Sequence, residues 1–281
     1  MQKDNNVALI LLDCSAAFDT VDQEILCKRL QSDYGIENNA LMLIRSYFSD
    51  RTFSTKVNNS FSSPKNLSHG VPQGSLLGPL FYVLYTKNLE RIILKHGLGV
   101  QLYADDCQIY FSFKDSEKDE AKKRIKLCFQ EIQLWMTNNY LKLNSDKTIV
   151  KLFRHKKSTI LDFSVIGETV QEKVKVLGVC LSDAWKFTSF ISEKVKTCSF
   201  HLRNLYNIRE SLDIQTRILL VLLVTNMILS CIDYCNILLL AATDSDLRPL
   251  RMIVNRALRF IYNVNYKDHI TPFYKKAHFY Q

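Results

Sequence analysis

One stretch decides the fold: Tyr103-Ala104-Asp105-Asp106-Cys107-Gln108-Ile109-Tyr110. Apolar residues run into two adjacent carboxylates and then out again, a pattern that predicts a strand, a tight turn and a returning strand. Asp is common in turns because its short side chain bonds the local backbone, so an ordinary hairpin explains this stretch as well as a functional one does. What distinguishes the two interpretations is whether other chemically suitable residues share the bend.

A second carboxylate, Asp13, stands in similar surroundings. It follows the apolar run Val7–Leu12 directly, and such a run is typical of a buried strand. An ionised carboxylate at the end of a buried strand costs free energy unless it pairs with a basic group or binds a metal. No nearby Lys or Arg is expected to offer such a pairing to Asp13 or to the Asp105-Asp106 pair. We therefore expect the two acidic strand ends to bind a cation.

Size and composition indicate a globular protein of one or two domains. The chain has 281 residues, of which 47% are hydrophobic and 23% are charged, and these values exclude a disordered protein. The net charge of +9 suits an anionic partner such as nucleic acid or a membrane surface. Residues 1–113 carry 10 Lys and Arg against 11 Asp and Glu, whereas residues 114–281 carry 27 against 17. The positive charge therefore lies downstream of the double Asp.

The sequence predicts neither a signal peptide nor a transmembrane segment. Val7–Leu12 is too short for a signal-peptide core, and the uncharged stretch Ile218–Ile232 falls short of a bilayer span, which favours a buried helix. The eight cysteines show no metal-binding or paired spacing, so reduced thiols are expected. We expect an intracellular protein, in the nucleus or cytoplasm, with no membrane partner. The oligomeric state stays open.

The spacing of apolar residues predicts an α+β fold. Helices are expected at Gln23–Tyr34 and Ala40–Phe48, from Pro79 onward and behind Ser116, with strands at 147–153 and 174–181. In the helix from Pro79 the apolar positions are Leu80, Phe81, Leu84, Leu89 and Ile92. This order favours a largely antiparallel sheet with helices on one face. From Ala184 onward only helical spacing remains, so we predict an α+β domain in residues 1–183 and an all-α bundle in residues 184–281.

Three segments together resemble the palm motifs of reverse transcriptases. They are Asp13-Cys14-Ser15-Ala16-Ala17-Phe18-Asp19-Thr20-Val21-Asp22, His69-Gly70-Val71-Pro72-Gln73-Gly74-Ser75 and Tyr103-Ala104-Asp105-Asp106. The amino-acid sequences of these segments are similar to those of LINE-type retrotransposons, which lack long terminal repeats. One such motif alone is a weak signal, whereas three in this order form a strong one. The resemblance implies a palm in residues 1–183, with the fingers region largely missing, and a thumb-like domain in residues 184–281.

The resemblance also implies an activity. An RNA-directed DNA polymerase transfers a nucleotide from a dNTP to the 3′-hydroxyl of a DNA primer on an RNA template. Mg²⁺, with Mn²⁺ as an alternative, would be held by Asp13, Asp105 and Asp106, because two such ions stabilise the attacking and leaving oxygens of this reaction. One alternative is a truncated, catalytically inactive remnant that binds nucleic acid. Another is a protein-interaction module formed by residues 184–281.

Four further residues receive roles from the resemblance. Phe18 would crowd the sugar 2′ position and so select deoxyribose, although a core aromatic explains it as well. Gln73 and Gly74 would lie beside the incoming nucleotide, where Gly74 allows close backbone approach. Lys147, in Leu143-Asn144-Ser145-Asp146-Lys147-Thr148, would protonate the departing pyrophosphate, although a lone lysine is more often solvated.

Two features of the C-terminal half could contact nucleic acid. Val176-Leu177-Gly178-Val179 resembles a hairpin that grips the primer backbone, and a plain buried strand is the alternative. A series of basic residues could follow the phosphates of a duplex, although charge on a helix face more often serves solvation. This series is Lys186, Lys194, Lys196, Arg203, Arg209, Arg248, Arg251, Arg256 and Arg259.

Overall fold

A computed structural model describes residues 5–72, 74–144, 146–154, 163, 170–182, 187–208, 220 and 223–276. The chain divides into two compact units, Met1–Glu172 and Lys173–Gln281. Each unit has a hydrophobic core of its own.

In the part of the chain that the structure describes, the first unit combines short and long strands with four helices. Its strands are β1 (Asn6–Leu12), β2 (Cys14–Ser15), β3 (Thr52–Phe53), β4 (Lys56–Val57), β5 (Ser60–Phe61), β6 (Lys65–Asn66), β7 (Gly99–Tyr103), β8 (Asp106–Phe113), β9 (Lys142–Leu143), β10 (Ile149–Phe153) and β11 (Val170–Gln171). Its helices are α1 (Gln23–Tyr34), α2 (Asn38–Phe48), α3 (Gly78–Lys95) and α4 (Lys118–Asn138), with a 3₁₀ turn at Asp115–Glu117.

Five strands form the main sheet of this unit, in the order β11-β10-β1-β8-β7. All neighbours are antiparallel except β10 and β11. Side chains alternate along β8, so that Cys107, Ile109, Phe111 and Phe113 are buried while Tyr110 is exposed. The buried face packs against apolar residues of the helices. The antiparallel sheet together with its helices confirms the predicted α+β class.

Helix α1 has the predicted bounds because both ends carry specific signals. Asp22 caps the N-terminus, where its Oδ1 accepts a hydrogen bond from the Ile25 N–H at 2.8 Å. Gly35 ends the helix in the left-handed conformation, at φ 65°. Helix α4 buries the face predicted by its apolar spacing, including Ile125, Phe129 and Ile132.

Four of the five apolar positions named in helix α3 are buried or partly buried, and two tyrosines are buried with them. Leu80 is 50% exposed, while Tyr82 and Tyr85 are fully buried. The Tyr85 hydroxyl donates a hydrogen bond to the Asn139 carbonyl at 2.7 Å, so its polar group is satisfied inside the core. The other predicted positions are divided between buried (Phe81 and Leu89) and partly buried (Leu84 and Ile92).

The second unit is a hairpin followed by helices. Its elements are β12 (Lys173–Val176), β13 (Val179–Ser182), α5 (Thr188–Ile208), a π-helical segment (Thr225–Leu229), α6 (Ser230–Asp233), a 3₁₀ segment (Asn236–Ala241), α7 (Asp244–Tyr262) and α8 (Thr271–Lys276). The core joins α5 and α7 to the segment around Val224 and Ile228, which is buried as predicted. Within the described part of the chain, no helix has both the length and the apolar character that crossing a membrane requires.

Candidate active site

The predicted hairpin at the double Asp is present. Tyr103 of β7 pairs with Asp106 of β8, so Ala104 and Asp105 form the two-residue turn. Ala104 has φ 50°, in the left-handed region that a non-glycine residue seldom adopts. The turn leaves both carboxylates exposed.

Asp13 lies at the same end of the sheet as this turn. Strand β1 pairs with β8 so that Leu12 stands opposite Cys107, and the next residues along the two strands are Asp13 and Asp106. The pKa of Asp106 is raised, first by burial and then by the negative charges of Asp105 and Asp13. The three carboxylates therefore interact electrostatically. The structure therefore brings the three predicted carboxylates into one neighbourhood.

Lys147 also belongs to this neighbourhood. Its Nζ lies 3.6 Å from Oδ2 of Asp13, with the lysine side chain 69% exposed. The turn that carries it is attached to Asp13, whose carbonyl accepts a hydrogen bond from the Asn144 N–H at 2.9 Å. The expectation that no basic residue is available to Asp13 was therefore wrong. Lys147 is distant from Asp13 in the sequence, and the pairing of β2 with β9 brings the two residues close together.

The oxygen atoms here suit a divalent cation only in part. Oδ2 of Asp13 is buried and accepts no hydrogen bond from any residue the structure describes. Among those same residues, no group of three His, Cys, Asp or Glu side chains is close enough to hold a metal ion by itself. Mg²⁺ usually binds one or two carboxylates together with waters and substrate phosphates. The donor set therefore fits an ion shared with a substrate.

The first two motifs contact each other beside the acids. The Val71 N–H donates to the Phe18 carbonyl at 2.9 Å, and the Gly70 N–H donates to the Val21 carbonyl at 2.7 Å. Gly70 has φ +84°, and a Cβ atom there would lie 2.9 Å from the carbonyl oxygen of Asp19. Only glycine allows this approach without strain.

Phe18 is half-buried rather than fully inside the core. Its ring lies 5.0 Å from the ring of Tyr82, and it packs against the edge of the core. Gly74 has φ +77° and is surrounded by open space, because a Cβ atom there would meet nothing within 4 Å. The backbone at Gly74 is therefore open to close approach. The predicted site residue Gln73 lies outside the described residues.

Two residues beneath the acids were not predicted. Tyr82 of α3 donates a hydrogen bond to Cys14, and burial followed by Cys14 raises the pKa of the Tyr82 hydroxyl far above its usual range. Burial also raises the pKa of the Cys14 thiol, against a lowering by the Tyr82 hydrogen bond and with further raising by Asp13 and Asp105. Both groups therefore stay neutral below the carboxylates. The one signal for Tyr82 was its place in the predicted helix, one residue after Phe81.

The predicted hairpin near residue 177 is present in the second unit, as β12 and β13. One member of the predicted basic series does not face solvent. Lys194 is 6% exposed, because it donates hydrogen bonds to the carbonyls of Cys231 and Tyr234. Lys186 and Arg209 lie outside the described residues.

Comparisons with known proteins agree with the motifs. A family model described as reverse transcriptase (RNA-dependent DNA polymerase) matches residues 1–181. The probable RNA-directed DNA polymerase from transposon BS of Drosophila melanogaster is 27% identical over 270 residues, 92% of this chain and 29% of that protein. The RNA-directed DNA polymerase from mobile element jockey of Drosophila funebris is 26% identical over 201 residues, 68% of this chain and 21% of that protein. The chain thus spans less than a third of the length of these relatives.

Among solved structures, an apo telomerase from Candida tropicalis, truncated from the C-terminal domain, aligns with 63% of this chain and 34% of its own chain. Its identity is 16% and its TM-score is 0.46. The family model covers well over half of the chain and includes all three acidic positions. The chain belongs to the reverse transcriptase family.

Proposed function

We propose that this chain is the palm and thumb portion of an RNA-directed DNA polymerase of a LINE-type retrotransposon. Residues 1–183 would form the palm, including the β12–β13 hairpin that belongs to the second compact unit, and residues 184–281 would form the thumb-like domain. The observation that best supports this proposal is that Asp13, Asp105 and Asp106 lie close together at adjacent ends of β1 and β8, in a chain of this family. The reaction is attack of a primer 3′-hydroxyl on the α-phosphate of a dNTP.

Asp13, Asp105 and Asp106 would hold Mg²⁺, or Mn²⁺ in its place. Such ions, when bound, lower the pKa of the attacking hydroxyl and stabilise charge on the leaving oxygen. Polymerases of this family generally use divalent metals. Two observations support a cation here. Oδ2 of Asp13 is buried and accepts no hydrogen bond from the described residues, with the Lys147 ammonium 3.6 Å away, and burial followed by the charges of Asp105 and Asp13 raises the pKa of Asp106.

Lys147 would act as the general acid that protonates the departing pyrophosphate. Its ammonium group is held near the site by Asp13 yet is largely exposed, so it can reach a bound phosphate. A positioned general acid typically contributes 10²- to 10⁴-fold to a rate. This range sets the scale of the loss expected when Lys147 is replaced.

Phe18, Gln73 and Gly74 would form the nucleotide site. The Phe18 ring is braced by Tyr82 from one side and is only half-buried, which supports a role in excluding a 2′-hydroxyl. The open space around Gly74 supports close approach of a nucleotide to the backbone. We assign Gln73 from its place in the motif alone.

The partners would be an RNA template, a DNA primer and dNTPs. The two Drosophila relatives carry names that state RNA-directed DNA polymerisation. Exposed basic residues of α5 and α7, namely Lys196, Arg203, Arg248 and Arg256, would contact the duplex backbone. Affinity carried by phosphate contacts falls steeply with added salt.

Primer extension on an RNA template with Mg²⁺ and dNTPs tests this function. We expect extension by the wild-type chain and its loss in Asp105→Asn. Asp119→Asn is the matched control, because Asp119 is an exposed acid in the first turn of α4. Binding of Mn²⁺, followed by electron paramagnetic resonance, should weaken in Asp13→Asn and Asp105→Asn but not in the control. Extension that survives Asp105→Asn, or no extension by wild type at any salt concentration, refutes the proposal.

A further inference from the structure

The turn between β12 and β13 has an unfavourable residue at its tip. Leu177 and Gly178 both have left-handed φ angles, of 45° and 80°. A two-residue hairpin turn of this type favours Asn-Gly, since the left-handed region is costly for a bulky side chain. Leu177 is nevertheless present, and its side chain is 40% exposed. Something other than local preference must hold this turn.

Tyr234 supplies that support from behind the turn. Its hydroxyl donates a hydrogen bond to the Leu177 carbonyl. Its ring also lies against the other turn residue, because a Cβ atom at Gly178 would be 3.3 Å from it. One side chain therefore contacts both residues of the turn.

A buried lysine holds the backbone of Tyr234 in place. The Lys194 ammonium donates hydrogen bonds to the Tyr234 carbonyl, at 2.7 Å, and to the Cys231 carbonyl. The same ammonium lies 4.5 Å from the centre of the Phe190 ring. Burial of an ammonium group is costly unless such partners surround it. Lys194 thus connects helix α5 to the segment that carries Tyr234.

Strained backbone persists only where its surroundings enforce it, and it is concentrated at functional sites. Here the enforcing contacts run from Lys194 through Tyr234 to Leu177, and they end at an exposed tip. We propose that Tyr234 and Lys194 are positioning residues that hold the Leu177-Gly178 turn in the conformation that binds the primer backbone. This inference rests on the proposed function, in which the hairpin grips the primer.

The first experiment removes only the hydroxyl group. Tyr234→Phe keeps the ring against Gly178 but breaks the bond to Leu177. Steady-state extension should show a KM for the primer–template that is raised about 3- to 10-fold, as expected for one lost hydrogen bond, with kcat nearly unchanged. Hydrogen exchange of the amides in residues 176–179 should become faster. Tyr266→Phe is the matched control, because Tyr266 is a strongly exposed tyrosine of the same unit.

The second experiment separates positioning from direct contact. Asn-Gly holds a turn of this type by itself, so Leu177→Asn should restore the primer KM in the Tyr234→Phe background. A purely structural role of Tyr234 would change the melting temperature without changing KM.

An unchanged KM in Tyr234→Phe, or a raised KM that Leu177→Asn fails to restore, overturns the inference and leaves the polymerase function intact. Absence of extension by the wild-type chain refutes the function, and this inference with it.

Discussion

Replacement of Gly70 by Ala tests the contact between the first two motifs. At φ +84° an alanine would have to adopt the left-handed conformation, which costs a residue with a Cβ about 1–2 kcal/mol. It would also lie 2.9 Å from the Asp19 carbonyl oxygen and 3.0 Å from the Asp19 Cα. These are backbone atoms and cannot rotate aside, so overpacking adds about 1–3 kcal/mol. We expect Gly70→Ala to destabilise the first unit by about 2–5 kcal/mol.

Gly35→Ala is the matched control for this prediction. Gly35 also has a left-handed φ of +65°, but a Cβ atom there meets nothing within 4 Å. Only the conformational cost of about 1–2 kcal/mol applies to it. Urea denaturation, followed by circular dichroism over the transition that unfolds the first unit, measures both variants. If Gly70→Ala costs no more than Gly35→Ala, the close approach of Gly70 to Asp19 is refuted.

Three further predictions concern single side chains. Lys147→Gln should slow primer extension about 10²-fold, as expected for loss of a general acid, whereas Lys142→Gln should not. Tyr85→Phe should lower the free energy of unfolding by about 1–2 kcal/mol, because it leaves the buried Asn139 carbonyl without its donor. Glu131→Gln should lower stability at pH 7 but not at pH values near 2, because basic side chains at the end of α3 lower the pKa of Glu131.

The pH dependence follows from the direction of that shift. A carboxylate with a lowered folded-state pKa stabilises the fold above the unfolded pKa, about 4.3 for Glu. The contribution is lost as the pH falls through the folded-state pKa. Urea denaturation of wild type and Glu131→Gln between pH 2 and 7 measures it, with Glu120→Gln as an exposed control. Parallel pH profiles for the wild type and Glu131→Gln would contradict this prediction. The separate prediction for Tyr85 would be contradicted if Tyr85→Phe were no less stable than Tyr110→Phe, which alters an exposed tyrosine.

Local patterns predicted the parts of the fold that local physics decides. The bend at Asp105 and the strand before Asp13 follow from apolar runs that end in acid, and both are present. Helix α1 has the predicted bounds because Asp22 and Gly35 are strong signals at its ends. Each of these features depends on residues adjacent in the chain.

The sequence did not indicate which polar groups would be buried. Lys194 was expected in an exposed basic series, yet it is buried because carbonyls distant in sequence accept its hydrogen bonds. Tyr85, which the sequence analysis did not single out, is buried for the same reason. Lys147 was assigned to the site only through the motif, and its closeness to Asp13 depends on the pairing of β2 with β9. Sequence spacing alone does not indicate where the partner of a polar group will lie.

The central position of β1 has a consequence during synthesis on the ribosome. This strand emerges before its partners, which reach from Cys107 to Phe113 and from Ile149 to Phe153. At about 5–20 residues per second, the nascent strand waits at least about 5 seconds for the first of them. Throughout that interval the segment Val7–Leu12 exposes apolar side chains and unpaired backbone groups, which favour aggregation. The strand that ends at Asp13 is therefore a natural segment for a chaperone to bind before the sheet closes around it.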